Sequence, residues 1–351
     1  MTVLMAVYNG ERYLKECMDS VISQTFKDFE FLIIDDGSTD STSSIIRSYS
    51  DNRIRVIRNA VNLSQVASLN IGLDHAQGEY IARIDADDAM LPDRLKIQID
   101  FLKKRKDLAL CGSYGEAIDE RGGHIANTKL PVRNEEIAAT ALFGGFVTIH
   151  SAFMFRKKSV ADIGKYNEVF SFAEDYKLVM DLLLSGYRVN NIPKVLVRYR
   201  FHDDRIGIRD SKPQIARAVV ALRDFLQMFT GSFSKEDKDL LFNLLMNAES
   251  LKKSYWDKPP ARDELKRILG LSGQMLSGMS AYFKFGVKER YFAYRVFYNR
   301  LLNFAYQALF IEKSSSVELY KQCLKNFLFI MNRPKLYAYP AAFSFCGRKN
   351  R

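Results

Sequence analysis

The stretch YIARIDADDAMLP, residues 80–92, joins a mostly apolar run to a cluster of three aspartates. The apolar part is short and has no helical period, which predicts a buried strand. Asp85, Asp87 and Asp88 then follow within four positions. Like charges repel one another and resist burial, so three carboxylates at the end of a strand need a physical reason.

Strand and helix patterns alternate around this stretch, across about the first 110 residues. Strands are predicted at 2–8, 29–37, 53–59 and 79–85, and helices at 11–24, 38–50, 64–76 and 91–106. Further patterns favour strands at 150–157 and 194–202 and a helix at 173–186. Strands that alternate with helices over short connections predict an α/β domain whose mostly parallel sheet is covered on both faces.

Three of the predicted strands end in polar residues: VYNG at 7–10, DDGSTD at 35–40 and DADD at 85–88. Ligands of such sheets bind at the carboxyl ends of the strands. The coincidence of three polar strand ends therefore predicts a binding edge, and it carries more weight than any one of the motifs.

The aspartates at 85–88 supply hard oxygen ligands of the kind that suit Mg²⁺ or Mn²⁺ shared with substrate phosphates. A bound divalent cation would attract a diphosphate that carboxylates alone would repel. The alternative is an Asp-rich loop that caps the helix beginning near Pro92. Asp35 and Asp36 have two alternative interpretations. They contact a nucleobase or ribose, or they form turn and N-cap hydrogen bonds together with neighbouring Ser38 and Asp40.

Composition excludes several classes of protein. The four cysteines form no C-x-x-C pair, so the usual zinc and redox spacings are absent. No two of the nineteen glycines are two residues apart, and no P-loop pattern occurs, which argues against a Rossmann dehydrogenase and a P-loop NTPase. Neither a signal-peptide pattern nor eighteen consecutive apolar residues are present, so we expect a cytoplasmic chain without a transmembrane helix.

Charge is unevenly distributed along the chain. Residues 1–205 hold 27 Lys and Arg against 29 Asp and Glu, a net −2, whereas residues 206–351 hold 25 against 12, a net +13. The last part shows helical patterns and no strand signal. A basic helical region suits an anionic partner such as phospholipid, nucleic acid or an acidic glycan, and the alternative is a solvated basic surface.

The order and spacing of four segments resemble the family 2 glycosyltransferases, which have the GT-A fold. The segments are residues 5–40, beginning MAVYNGERYL and ending IIDDGSTD, then GEYIARIDADDAMLPDRL, AEDY and YRFH. The resemblance covers about residues 3–205 and implies a GT-A-like glycosyltransferase domain at 1–205, followed by the basic helical region 206–351.

On the donor side, the resemblance implies that Asp36 bonds the base with Asp35 beside it, and that Asp85 contacts the ribose or the diphosphate. The end of the first strand should line the base pocket through Ala6, Val7 and Tyr8. Members often carry Asn-x-Gly where this chain has Asn62-Leu63-Ser64, a departure that affects a donor-side loop.

On the catalytic side, the resemblance implies that Asp87 binds the metal directly and that Asp175 is the general base, with Glu174 as its neighbour. His202 stands where many members carry a metal or diphosphate ligand; an ordinary loop histidine is the alternative, as an N-cap is for Asp175. His150 is either near the sugar pocket or packed in the core.

Two further residue-level expectations concern the neighbours of these groups. Arg83 shares strand parity with Asp85 and is interpreted as a pairing partner for the acidic cluster. Val179 and Asp181 replace a tryptophan and an arginine that many members carry, a departure that affects the acceptor.

The implied activity is inverting transfer from a nucleotide-sugar donor, UDP-sugar on family grounds, to a glycan or lipid-linked acceptor in surface polysaccharide assembly. Mn²⁺ or Mg²⁺ is the expected cofactor, and the C-terminal region is expected to meet the anionic inner face of a membrane rather than nucleic acid. The alternatives are a metal-dependent sugar-1-phosphate nucleotidyltransferase and a non-catalytic sugar-nucleotide- or glycan-binding subunit.

Overall fold

The computed structural model describes residues 1–141 and 146–202, together with short pieces between residues 217 and 283. The chain divides into two compact units, residues 1–134 with 146–221 and residues 135–145 with 222–351. The boundary predicted near residue 205 falls within 203–216, outside the described part, and it stays a prediction.

The elements of the first 104 residues alternate as the sequence predicts. They are β1 (Thr2–Val7), α1 (Leu14–Ile22), β2 (Glu30–Asp35), α2 (Thr42–Arg47), β3 (Ile54–Arg58), α3 (Gln65–His75), β4 (Tyr80–Arg83), β5 (Ala89–Met90) and α4 (Arg94–Lys104). The two-residue strand β5 has no counterpart in the sequence patterns.

The later elements depart more from the patterns. They are β6 (Leu108–Ile118), β7 (His124–Thr128), α5 (Asn134–Ala141), β8 (Met154–Arg156), α6 (Lys157–Asp162), α7 (Glu174–Leu184) and β9 (Arg188–Arg200), with short 3₁₀ helices at His150–Ala152 and Glu168–Phe170. The predicted strand at 150–157 therefore begins with a 3₁₀ helix and is a strand only over Met154–Arg156, and the strand predicted at 194–202 begins earlier, at Arg188.

The strands of the described residues form one mixed, mostly parallel sheet in the order β3-β2-β1-β4-β8-β6-β9-β5, with β7 paired to β6. β1 to β4 are mutually parallel, β6 and β9 are parallel, and β8 is antiparallel to both of its neighbours. The chain builds outward from β1 through β2 to β3 and then returns to place β4 on the other side of β1. That reversal is a topological switch point, where the ends of β1 and β4 open a crevice for a ligand.

The core explains why the first strands are apolar without alternation. All six residues of β1 are buried, as expected of a central strand with both faces covered. Helix α1 packs a stripe of Leu14, Cys17, Met18 and Val21 at helical spacing.

Strand β6 was missed by the sequence patterns because contacts distant in the chain determine it. Its segment LALCGSYGEAI contains two glycines, which weaken a strand pattern. A Cβ on Gly112 would collide with Asn191 and Thr148, and one on Gly115 with Ile149. β6 pairs with β9 along its whole length, so these glycines allow close packing within a strand.

Most of the region 206–351 lies outside the described residues, and so do the basic residues that the sequence suggested for membrane contact: Lys252, Lys253, Lys284, Lys288, Arg290 and Arg295. The described pieces at 221–224, 235–239 and 277–279 are helical, as predicted. Within the described part of the chain, no helix has the length and apolar character needed to cross a membrane.

Candidate active site

The loops that follow β1 and β2 are fastened to each other at the switch point. The backbone N–H of Asn9 donates to Ser38 Oγ at 3.1 Å, and that of Gly10 donates to Thr42 Oγ1 at 2.8 Å. Asn9 Oδ1 accepts from the N–H of Thr39 at 2.8 Å. These hydrogen bonds therefore hold the two loops together at this edge of the sheet.

The strand end that was predicted to line a base pocket combines buried and exposed residues. Ala6 and Val7 are buried, whereas Tyr8, directly after β1, is 49% exposed. The Tyr8 ring is thus available to a ligand, and the contact itself stays a prediction.

Both carboxylate oxygens of Asp35 accept hydrogen bonds from residues that follow β2. Its Oδ1 accepts from the N–H of Ser38 at 2.9 Å and its Oδ2 from Ser43 Oγ at 2.5 Å, while Arg58 Nε lies 3.6 Å away. The turn alternative considered for this aspartate is thus present, and its predicted place beside a base stays a prediction.

Asp36 holds the loop that leads into α3. Its Oδ1 accepts from Asn59 Nδ2 at 2.8 Å and from the N–H of Leu63 at 2.9 Å, and its Oδ2 accepts from the N–H of Ser64 at 3.0 Å. The predicted bond to a base would share a carboxylate that already accepts three hydrogen bonds.

The three aspartates that follow β4 converge as expected. Asp85, Asp87 and Asp88 each offer one oxygen within 4.8 Å of the others. They do not cap α4: its N-cap is Asp93, which makes no side-chain capping bond, and the N–H of Leu95 donates to a glutamine, Gln24. The helix-capping alternative for the cluster is therefore wrong.

His202 comes from the end of β9 to join this cluster. Its Nε2 lies 2.9 Å from Asp87 Oδ2, and its side chain is only 9% exposed, with its ring 5.2 Å from that of Tyr13. Adjacent octahedral ligands at 2.0–2.1 Å from Mg²⁺ lie about 3.0 Å apart, so this pair fits two positions of one metal ion. Asp87 and His202 could therefore hold a divalent cation, with Asp85 and Asp88 close by.

Arg83 is a buried cation at the end of β4, with a side chain 2% exposed. It pairs with Asp85, which confirms the predicted ion pair, and its Nη1 lies 3.3 Å from Ser151 Oγ. Burial raises the pKa of Asp85, but the charge of Arg83, the charge interaction with His150 and the hydrogen bonds from Arg83 and Ser151 together bring that pKa down to about 2. Asp85 is thus an anion at neutral pH.

The predicted acid pair begins helix α7. The N-cap residue is Ala173, so Asp175 is the second helical residue and the N-cap alternative is wrong. Its Oδ1 accepts from the N–H of Tyr176 at 2.7 Å. Burial raises the pKa of Asp175, and burial together with the charge of Asp175 raises the pKa of Glu174 to about 7.

His150 belongs both to the core and to the surroundings of this acid pair. Its Nε2 lies 3.0 Å from the hydroxyl of Tyr166, and its Nδ1 lies 3.7 Å from Glu174 Oε1. The ring packs at 5.1 Å from that of Phe153. Burial holds the pKa of His150 well below its usual value, so the ring is neutral at physiological pH.

Three residues of the site escaped sequence reasoning. Ser151 Oγ lies between Asp85 and Asp88 and bonds both, and the Arg200 N–H donates to Asp88 Oδ1 at 2.8 Å. Gln65 Nε2, at the start of α3, donates to Asp85 Oδ1 at 3.0 Å. Arg200 lies within the YRFH motif, so the sequence offered a reason to include it in the site. Ser151 and Gln65 stand alone in the sequence, and no pattern there indicates a role for them.

The charges of the site are arranged around Arg83. The guanidinium pairs with Asp85 on the metal-binding side, and its charge also acts on Glu174 and Asp175. One crevice thus combines a potential metal site with two carboxyls of raised pKa, an arrangement suited to stabilising a leaving diphosphate and accepting a proton.

Comparison with known proteins gives a consistent result. The family model described as "Glycosyl transferase family 2" matches residues 2–164. A glycosyltransferase of Methanocaldococcus jannaschii, itself uncharacterized, is 34% identical over 204 residues, which cover 57% of this chain and 70% of the relative. The amylovoran biosynthesis glycosyltransferase AmsE of Erwinia amylovora is 28% identical over 232 residues, 63% of this chain and 86% of AmsE.

Among solved structures, residues 1–349 of TarS from S. aureus, crystallised with UDP-GlcNAc, superpose with a TM-score of 0.56 at 16% identity. The superposition covers 93% of this chain and 90% of that one. At this identity the likeness concerns the fold, and it agrees with the predicted GT-A-like architecture.

Proposed function

The chain belongs to glycosyl transferase family 2, and we propose that it transfers a sugar from a nucleotide-diphosphate donor to an acceptor hydroxyl with inversion at the anomeric carbon. The observation that carries the proposal is the pairing of Asp87 with His202, together with an Asp175 on which the charges of Arg83 and Asp85 act. Family membership favours glycosyl transfer over the nucleotidyl transfer that the sequence left open.

The donor is proposed to lie along the ends of β1, β2 and β4. Tyr8 offers an exposed ring directly after β1, and the loop tied to Asp36 closes the side of the crevice. UDP is the proposed nucleotide, on family grounds and because TarS, which shares the fold, was crystallised with UDP-GlcNAc. Asp85 is ionised and held by Arg83, so it can accept hydrogen bonds from a ribose or bind through the metal.

Mn²⁺ or Mg²⁺ held by Asp87 and His202 would neutralise the charge that develops on the leaving diphosphate. Asp175 is proposed to accept the proton of the attacking hydroxyl at a carboxylate oxygen. A raised pKa brings a carboxylate closer to the basicity that favours proton transfer near neutral pH. Because Oδ1 already accepts the N–H of Tyr176, Oδ2 is the oxygen assigned to that proton.

The acceptor is proposed to be a glycan or a lipid-linked sugar in surface polysaccharide assembly. AmsE, a relative, is named for the biosynthesis of such a polymer. We place the reaction at the inner face of the membrane, with the region 206–351 and its net charge of +13 meeting anionic lipid.

The test is a panel of UDP-, GDP- and dTDP-sugars, with Mn²⁺, with Mg²⁺ and with EDTA. A bound donor at a hundred times its dissociation constant should add about 2.7 kcal/mol to the stability of the chain, which a thermal shift detects. Released nucleoside diphosphate marks sugar transfer or hydrolysis. In a parallel reaction with a nucleoside triphosphate and a sugar 1-phosphate, release of inorganic pyrophosphate would instead indicate a nucleotidyltransferase. Binding of the nucleotide sugar without release of either product would indicate a non-catalytic subunit.

A further inference from the structure

Glu174 lies next to the proposed base and takes no part in the chemistry described above. Its side chain is 8% exposed, and its Oε2 is buried without a hydrogen-bond partner among the described residues. Its Oε1 faces His150 Nδ1 at 3.7 Å. A carboxyl taken so far out of water must either be paired with a cation or remain neutral.

We propose that Glu174 is a positioning residue for Asp175: as a neutral carboxylic acid in a buried chain with His150 and Tyr166, it leaves Asp175 the only negative charge at the start of α7. The proposal deepens the proposed function and rests on the assignment of Asp175 as the base.

The positive charge of Arg83 acts on Glu174 and lowers its pKa, but burial and the like charges of the site outweigh it. Within the described part of the chain, no lysine or arginine forms an ion pair with it, because Arg83 pairs with Asp85. Asp175 and Asp85 act on it as like charges. The ring of His150 is kept neutral by burial, so it brings no positive charge to Glu174, whose Oε1 lies 3.7 Å from Nδ1.

Tyr166 also orients the ring of His150. Since the hydroxyl of Tyr166 lies 3.0 Å from Nε2, it can donate to that nitrogen and leave the ring proton on Nδ1, which faces Glu174. The backbone of Tyr166 is itself clamped to Asn70 of α3, with bonds of 2.9 and 3.1 Å. Tyr166, His150 and Glu174 are therefore held by three separate segments of the fold.

This arrangement affects the base through charge. If Glu174 were ionised, two adjacent carboxylates would share the first turn of α7, and the repulsion would favour a proton on one of them. While Glu174 keeps its proton, that competition is absent, so Asp175 can carry the negative charge that accepts a proton. Burial and the neighbouring charge of Asp175 raise the pKa of Glu174 to about 7, in agreement with the geometry.

The test is infrared difference spectroscopy of the full chain, wild type against Glu174→Gln. We expect the carbonyl band of a protonated carboxyl at about pH 6, absent from the variant and lost from the wild type by roughly pH 8.5. No such band at about pH 6 would overturn the proposal. The measurement needs neither donor nor transfer, so its failure is separate from a failure of the proposed function.

Two further measurements address the role in positioning. The wild-type profile of transfer rate against pH should contain a transition in the neutral range that Glu174→Gln lacks, and identical profiles would refute the role. Tyr166→Phe removes the outer hydrogen bond without changing Glu174, and it should move the pH at which the carboxyl band disappears. An unmoved band in Tyr166→Phe would remove Tyr166 and His150 from the proposed chain.

Discussion

The conformation of Ser64 predicts that glycine would be more stable at this position. Ser64 has φ +96° and ψ 154°, a region that is populated almost only by glycine and costs a residue with a side chain on the order of 1–3 kcal/mol. Ser64→Gly should release that strain. Asp36 would keep its bond to the N–H of residue 64, because glycine also provides a backbone N–H.

Two costs reduce the gain in folding free energy that Ser64→Gly should bring. Ser64 Oγ accepts from the N–H of Ala67 at 3.3 Å as the N-cap of α3, and replacing a serine cap by glycine costs a few tenths of a kcal/mol. Glycine also has more freedom in the unfolded chain, which costs roughly 0.5–1 kcal/mol. The net expectation is a stabilisation of about 1 kcal/mol, or about 2–4 °C in the melting temperature of a unit this size.

Ser64→Ala is the matched control. Alanine keeps the strained backbone and loses the cap, so it should destabilise the chain by about 1 kcal/mol. Thermal melts followed by circular dichroism compare the two variants with the wild type. If glycine were no better than alanine, the assigned backbone strain at Ser64 would be refuted.

The remaining predictions concern the proposed chemistry and the charges. Asp175→Asn should fold normally and bind donor, since asparagine can still accept the Tyr176 N–H, but its turnover should fall about a hundredfold or more; a rate above about a tenth of wild type would move the base elsewhere. Asp87→Ala should abolish metal-dependent donor binding in titrations with Mn²⁺ and EDTA, and full wild-type activity in EDTA would rule out the metal role. The stability of the wild type should fall relative to Glu174→Gln as pH rises from 4.5 to about 7, because folded Glu174 keeps its proton over this range and unfolded Glu174 does not; the difference is on the order of 3 kcal/mol. Urea unfolding at several pH values checks this, with exposed Glu79→Gln as the control, and equal pH dependence of the two variants would contradict it. The full chain should float with liposomes that contain phosphatidylglycerol at low salt and not at high salt; failure under both conditions would favour a solvated basic surface.

Local sequence was sufficient to predict the first half of the domain and the place of its acidic cluster. Apolar runs without alternation belong to strands covered on both faces, and parallel strands bring their carboxyl ends to one edge. The polar residues that follow β1, β2 and β4 therefore had to meet, and the cluster of Asp85, Asp87 and Asp88 formed as expected.

Long-range contacts decided the rest. β6 is a strand because its glycines admit Asn191 and Ile149 and because β9 pairs with it, neither of which a local pattern contains. The sequence likewise predicted Asp36 as a ligand of a base, but only the tertiary structure reveals that its oxygens also hold Leu63 and Ser64.

The charge state of the acid pair also depends on tertiary structure. From the sequence, Glu174 and Asp175 are two adjacent carboxyls at the start of a helix, and the family resemblance implies that Asp175 is the base and Glu174 its neighbour. In the tertiary structure Glu174 is buried against His150, and Arg83 forms its ion pair with Asp85. Residue types determine which charges a chain can carry, whereas desolvation and neighbouring charges, set by packing, determine which of them it carries at neutral pH.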